Sequence, residues 1–113
     1  MGIFSRRNKD DDSVTWVAKG NALAELERYE EAVECCDKVI RLNPEDSDAW
    51  VAKGLALAQL ERYEEAIECY DKAIRLNPED SDALHNKGTS LGKLGRYIEA
   101  EKCFAKFKEL NKY

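Results

Sequence analysis

The sequence has few of the residues that most catalytic or metal sites need. It contains one histidine, His85, and two prolines, and it has no long apolar run. A single histidine excludes most His-based catalytic sites and any metal site that requires two His ligands. No stretch approaches the roughly 18 apolar residues of a membrane-spanning helix. No secretory signal is visible, because the basic residues of 1–12 have no apolar stretch behind them.

Charge narrows the function classes further. Charged residues make up 36% of the 113 residues, hydrophobic residues make up 43%, and the net charge is −5. An acidic chain is a poor partner for nucleic acid, whose phosphates select basic surfaces. No Ser-His-Asp set, phosphate-binding loop or Cys-x-x-Cys pair stands out. We therefore expect one cytoplasmic, helical domain that is not an enzyme, holds no cofactor or metal, and binds neither nucleic acid nor membrane.

The chain repeats itself every 34 residues. Residues 13–46 and 47–80 form two units of equal length, a more diverged third copy occupies residues 81–113, and residues 1–12 are predicted to be a disordered tail. The first two units differ at only seven positions, which are Val14/Asp48, Thr15/Ala49, Asn21/Leu55, Glu25/Gln59, Val33/Ile67, Cys36/Tyr70 and Val39/Ala73.

Each unit is predicted to be a pair of helices. In the second unit Asp46 can cap a first helix over Asp48–Leu60, and a second helix over Tyr63–Leu76 follows a short turn. Asn77-Pro78 ends that helix, because proline cannot continue the hydrogen-bond ladder. The first helix is apolar nearly all round, so a single hairpin cannot bury it and stacked neighbours are required.

Several residues recur at fixed offsets in the units. They are Trp16, Gly20, Ala32 and Pro44 in the first, Trp50, Gly54, Ala66, Tyr70 and Pro78 in the second, and Leu84, Gly88, Ala100 and Phe104 in the third. On these residues the chain resembles the tetratricopeptide repeat family over residues 13–113. The resemblance implies an all-α, right-handed superhelical solenoid of three helix-turn-helix repeats. The sequence departs from the pattern at Cys36, where an aromatic residue is usual, and at Lys19, Lys53 and Lys87, where leucine is usual.

The same resemblance implies a function. First helices of such repeats line a concave surface that holds a peptide of a partner protein. Projected onto this sequence, the surface carries Val17, Asn21, Asp48, Val51, Leu55, Asp82, His85 and Thr89. Its floor is apolar and its rim is acidic, which predicts a protein-binding scaffold. The alternative that Val51 and Leu55 are simply core residues stays open.

One subset of the family grips the C-terminal carboxylate of chaperones with Lys, Asn and Arg side chains. The corresponding places here hold Val17, Asn21, Ala52, Asp82 and Asn86. Only Asn21 matches, and Asp82 would repel a carboxylate. We therefore expect a groove that is not a chaperone carboxylate clamp.

The glycines and cysteines have structural interpretations. Glycines 20, 54 and 88 lie mid-helix, where glycine costs about 1 kcal/mol against alanine, and we expect alanines 32, 66 and 100 to approach them closely. Gly95 suits a left-handed helix end, where the other units have Glu27 and Glu61. Cysteines 35, 69 and 103 recur at the 34-residue period, so they should lie about 10 Å apart, too far for disulfides. We expect reduced and dispensable thiols, whose replacement by serine costs little if they are partly exposed.

The last unit has features of an end. Glu101 and Lys108 stand where the second unit has Ile67 and Ile74, whereas an apolar stripe of Phe104, Phe107 and Leu110 remains. The first two units each carry a net charge of −4 and the third carries +3. These features leave a second hypothesis, a structural protein that self-assembles weakly through its open ends or groove.

Overall fold

The chain forms three helical hairpins in series. A computed structural model describes residues 9–112, with side chains from residue 13 onward. Across that range the helices are α1 (Lys9–Glu25), α2 (Tyr29–Leu42), α3 (Ser47–Gln59), α4 (Tyr63–Leu76), α5 (Ser81–Lys93) and α6 (Tyr97–Leu110). Each helix packs on the next, and α3 also touches α5, giving an elongated body of 58 × 30 × 20 Å. The predicted all-α architecture of three helix-turn-helix repeats is confirmed.

The first helix begins earlier than the sequence predicts. Its first residue is Lys9, so residues 9–12 are helical although they were expected to belong to the tail. No proline or glycine lies between Lys9 and Ser13 to stop a helix from extending. The rest of the predicted tail, residues 1–8, lies outside the described residues.

Aspartates fix the starts of α3 and α5. The Asp46 carboxylate accepts a hydrogen bond from the Ala49 backbone N–H at 3.2 Å, and Asp80 accepts from Ala83 at 3.1 Å. Each bond satisfies an amide that has no partner within its helix. The cap predicted at Asp46 is therefore present, and Asp80 forms the equivalent cap at the start of α5.

The turns inside the hairpins share one backbone shape. Glu27, Glu61 and Gly95 have φ values of 60°, 62° and 78°, so all three lie in the left-handed region. The interpretation of these positions as left-handed helix ends is confirmed, and two of them are occupied by glutamate. After each turn an arginine donates to a glutamate three residues later, as Arg62 does to Glu65 through two bonds of 2.7 and 2.8 Å.

The close approach at the mid-helix glycines involves aromatic rings. A Cβ placed on Gly54 would lie 2.5 Å from a ring carbon of Tyr70, and one on Gly88 would lie 2.7 Å from a ring carbon of Phe104. The expectation that alanines approach these two glycines most closely is wrong, because the ring of the second helix supplies the nearest atoms at both. Of the three mid-helix glycines, only Gly20 lacks a ring, and its nearest neighbour is the Cβ of Cys35 at 3.3 Å.

The joint between the second and third units is apolar. Ile67 of α4 packs with Leu91, Ala100 and Cys103 of the third unit. This contact confirms that position 67 faces the following repeat. Glu101, its counterpart in the last unit, is exposed.

The apolar stripe on α6 is partly covered. The His85 ring lies 5.5 Å from the Phe104 ring and 5.1 Å from the Phe107 ring, and both phenylalanines are half-buried. Larger apolar exposure lies at the turn between α5 and α6, where Tyr97 is 68% and Ile98 is 74% exposed. Neither residue was among those singled out from the sequence.

Candidate functional site

The first helices of the three units frame two cavities. The α1–α3 cavity lies between α1 and α3 over α2, has a volume of about 600 Å³, and includes Val17, Gly20, Cys36, Asp48 and Leu55 in its lining. The α3–α5 cavity lies between α3 and α5 over α4 and has a volume of about 440 Å³. We call the two cavities together the groove.

Most of the predicted site residues line this groove. The α1–α3 cavity contains Val17, Asn21, Asp48 and Leu55. The α3–α5 cavity contains Leu55 again, together with His85 and Thr89. Leu55 therefore lies where the two cavities meet.

Two predicted residues lie elsewhere. Val51 is half-buried and packs against the core cluster that contains Leu57 and Tyr70. Asp82 is exposed and lines neither cavity. The contact of Val51 with this cluster supports the alternative that Val51 is a core residue. Leu55, by contrast, is 43% exposed.

The groove exposes apolar side chains that a soluble surface would normally hide. Val17 is 40% and Leu55 is 43% exposed. Exposed apolar side chains in a concave surface are typical of binding sites, because a partner can remove them from water.

The charges differ between the two cavities. Glu25, Asp46 and Asp48 line the α1–α3 cavity, and among the described residues no lysine or arginine does. The α3–α5 cavity carries Glu61 and Lys93, charges of both signs. The acidic character predicted for the groove is therefore concentrated at its first half.

Two polar side chains of the α3–α5 cavity have defined contacts. The Thr89 hydroxyl donates to the His85 backbone carbonyl at 3.1 Å, and the His85 ring rests against two phenylalanines. Within residues 13–112, no cluster of three His, Cys, Asp or Glu side chains could hold a metal ion. The four cysteines are free and buried, so the condition under which serine replacements were expected to cost little is not met.

The groove also contains residues that the first helices do not supply. Tyr29 and Cys36 of α2 form the floor of the α1–α3 cavity, and Tyr63 and Tyr70 of α4 form that of the α3–α5 cavity. The predicted stripe used first helices only and so missed them. The signal in the sequence that could have indicated them is the Cys36/Tyr70 difference between two otherwise nearly identical units.

The repeats identify the family. Tetratricopeptide repeat models match residues 17–81 and residues 69–102, so the chain belongs to the tetratricopeptide repeat family. Its fold is the right-handed superhelical solenoid of that family, whose domains are generally non-catalytic modules for protein–protein interaction.

Solved structures support the same fold. The second tetratricopeptide domain of Spaghetti (RPAP3), bound to an HSP90 peptide SRMEEVD, is similar at 25% identity and a TM-score of 0.86, over 91% of this chain and 97% of that one. The Arabidopsis OM64 tetratricopeptide domain has 24% identity and a TM-score of 0.90, over 92% and 86% of the two chains. A point mutant of MamA has 29% identity and a TM-score of 0.82, over 89% and 74%. Among curated proteins, none matches this chain in sequence.

Over the part of the chain that the structure describes, no helix is both long enough and apolar enough to cross a bilayer.

Proposed function

We propose that this chain is a protein-interaction scaffold whose groove binds a peptide segment with apolar anchors and flanking Lys or Arg. The observation that carries the proposal is the exposure of Val17 and Leu55 beside Asp48 in one cavity. Burying these two side chains supplies the attraction, at about 25 cal/mol per Å² before ordering costs. The acidic residues set orientation and association rate more than affinity.

The groove is proposed to differ from a chaperone carboxylate clamp. The Spaghetti domain binds an HSP90 peptide, and shared fold alone does not transfer its ligand. Here Glu25, Asp46 and Asp48 line the first cavity and would repel a terminal carboxylate. The ligand we propose is therefore cationic. For its setting we propose the cytoplasm, since free thiols such as the four here are typical of reducing compartments.

A peptide-display selection tests the proposal. Random dodecapeptides are selected on the purified chain, and the enriched sequences are measured by fluorescence anisotropy. We expect enrichment of apolar residues next to Lys or Arg. Leu55→Asp should weaken binding more than ten-fold with helicity unchanged, because it puts a charge where the two cavities meet. The matched control is Leu76→Asp, since Leu76 is 39% exposed and lines neither cavity.

Two charge variants locate the acidic rim. Asp48→Lys should weaken binding and reduce its salt dependence, because Asp48 lines the cavity. Asp82→Lys, outside both cavities, should alter mainly the salt dependence. If Leu55→Asp and Asp48→Lys bound the selected peptides as well as the parent does, the groove would not be the binding site.

A second function has one observation in its favour. Leu94, Tyr97 and Ile98 are exposed together around the turn between α5 and α6. An apolar patch of this kind can pack against another copy of the chain. We propose this self-association as the alternative, and sedimentation of the parent and an Ile98 variant tests it.

A further inference from the structure

The two cavities of the groove differ at one ring position. Tyr70 places its ring under Gly54, with three ring carbons between 2.5 and 3.0 Å from a Cβ built there. Phe104 does the same under Gly88. The first unit keeps the glycine, Gly20, but has Cys36 at the ring position. A Cβ built on Gly20 meets only Cys35 and the Ala32 carbonyl within 4 Å.

The space that the ring would occupy belongs to the α1–α3 cavity. Gly20, Ala32 and Cys36 all line it, and it is larger than the α3–α5 cavity, about 600 against about 440 Å³. Val39, where the second unit has Ala73, returns only part of the missing volume. An apolar cavity of about 150 Å³ is enough to bind benzene, so the room gained here suits one aromatic ring.

The surroundings select the chemistry next to that ring. Glu25 and Asp48 line the same cavity, and a lysine or arginine beside an inserted aromatic residue would meet their charges. In the second cavity the ring position is already filled by Tyr70, whose hydroxyl is hydrogen-bonded to Ser90. An aromatic anchor therefore fits the first cavity and not the second.

We propose that the α1–α3 cavity is the anchor pocket of the groove and that it takes a Phe or Trp side chain flanked by Lys or Arg. The partner's ring occupies, between α1 and α2, the position that Tyr70 occupies between α3 and α4. The proposal rests on the function proposed above and adds the identity and location of the anchor.

Filling the pocket from within is the direct test. Cys36→Phe should place a ring under Gly20 as Phe104 places one under Gly88. Phe is preferred to Tyr because the first cavity has Ala56 at the position of Ser90, so a Tyr hydroxyl there would lack the hydrogen-bond partner that Tyr70 has. We expect Cys36→Phe to keep or raise the midpoint of thermal unfolding and to weaken the selected peptides at least ten-fold. Cys36→Ala, which leaves the pocket open, is the matched control and should retain binding.

A small probe tests the pocket independently of any selected peptide. N-acetyl-Phe-Lys-amide is titrated into the methyl-labelled chain, and the methyl resonances of Val17, Val39 and Leu55 are followed. We expect saturable shifts that N-acetyl-Ala-Lys-amide does not produce and that Cys36→Phe abolishes. If Cys36→Phe failed to fold, Cys36→Met, whose flexible side chain fills irregular gaps, would replace it.

The outcomes separate the two proposals. Peptide binding that is lost in Leu55→Asp but unchanged in Cys36→Phe would overturn the anchor pocket and leave the groove intact. Probe shifts that survive Cys36→Phe would overturn the pocket as well. A parent chain that selects no peptide at all would overturn the proposed function, and the methyl titration would still decide whether the pocket takes an aromatic ring.

Discussion

The Nζ of Lys53, on α3, lies 2.7 Å from the Oδ1 of Asp37, on α2 of the preceding unit. Lys87 and Asp71 make the same contact at 2.6 Å across the next joint. Partial burial lowers the pKa of Lys53, but the hydrogen bond and charge of Asp37 raise it by more, so the net pKa is raised. Lysine thus stands at the family's leucine position and links consecutive units through an ion pair.

A double-mutant cycle measures this link. Lys53→Met and Asp37→Asn, alone and combined, should show a coupling of about 0.5–1 kcal/mol, because both side chains are partly exposed. The raised pKa of Lys53 means that this stability is complete below the unfolded value of about 10.4 and is lost as pH rises through the folded value. Urea unfolding at pH 7 and at higher pH follows both effects.

Lys19 provides the control for that cycle. It is the equivalent residue of the first unit and lies 4.9 Å above the Trp16 ring. Lys19→Met should show no coupling to Asp37→Asn. A coupling of zero for Lys53 with Asp37, or one equal to that of Lys19, would contradict a role of the pair at the joint.

The mid-helix glycines should respond differently to alanine. Gly54→Ala forces a methyl group to 2.5 Å from the buried Tyr70 ring, and overpacking of this kind costs about 1–3 kcal/mol. In Gly20→Ala the new methyl group lies 3.3 Å from the Cys35 Cβ, which is a milder crowding. The higher helix propensity of alanine, about 1 kcal/mol, offsets it. Urea unfolding followed by circular dichroism should show clear destabilisation for Gly54→Ala and little change for Gly20→Ala.

A second substitution checks the cause. Tyr70→Cys removes the ring, so Gly54→Ala should cost less in that background than in the parent. Equal costs in the two backgrounds would mean that the glycine is required for a reason other than the ring.

Native thiols should react slowly. Burial comes first among the causes that raise the pKa of Cys36 and Cys69 from 9.0 to about 11, and the thiolate is the reactive form. At pH 8 we expect slow alkylation by iodoacetamide in buffer and rapid alkylation of all four cysteines in urea, counted by mass spectrometry. Rapid modification of the folded chain would contradict the burial.

The same pKa shifts give a pH dependence of stability. Because the folded pKa lies above the unfolded one, the stabilisation is complete below about pH 9 and is lost as pH rises toward 11. Cys69→Ser should also be more costly than the sequence suggested, by about 1–3 kcal/mol, since it buries a hydroxyl. A Cys69→Ser chain as stable as the parent would contradict this cost.

The last turn should govern any self-association. Ile98 is 74% exposed where the other units have Glu30 and Glu64. Ile98→Glu should shift the sedimentation coefficient of a concentrated sample toward that of a monomer. Leu26→Glu serves as the control, because Leu26 is 66% exposed in the turn between α1 and α2. A parent chain that stays monomeric at high concentration and low salt would remove this hypothesis.

The fold could be predicted because its signals are local and repeated. The 34-residue period, the cap at Asp46 and the left-handed position of Gly95 each follow from short-range chemistry. The beginning of α1 could not be placed, because helix ends without a distinctive capping pattern are poorly marked in sequence.

The site was less predictable because it depends on packing between units. A stripe drawn on single helices places Val51 and Asp82 in the groove, but Val51 packs against the core of its own hairpin and Asp82 lies outside both cavities. Cys36 was visible in the sequence as a departure from the repeat. Its effect on the cavity volume could not be predicted, because that effect depends on where Gly20 lies relative to Cys36. Relations across two helices of this kind are absent from a linear pattern.

The left-handed turns carry a consequence for the order of folding. Glu27 and Glu61 hold a conformation that costs an L-residue about 1–2 kcal/mol, whereas Gly95 adopts it freely. The first two hairpins must therefore gain that energy from packing, whereas the third forms its turn without that cost. We expect assembly to start at the C-terminal hairpin and to proceed toward α1, so pulse-labelled hydrogen exchange should protect α5 and α6 first. With Glu27→Gly and Glu61→Gly combined, all three turns have glycine, so we expect the three hairpins to become protected at similar times.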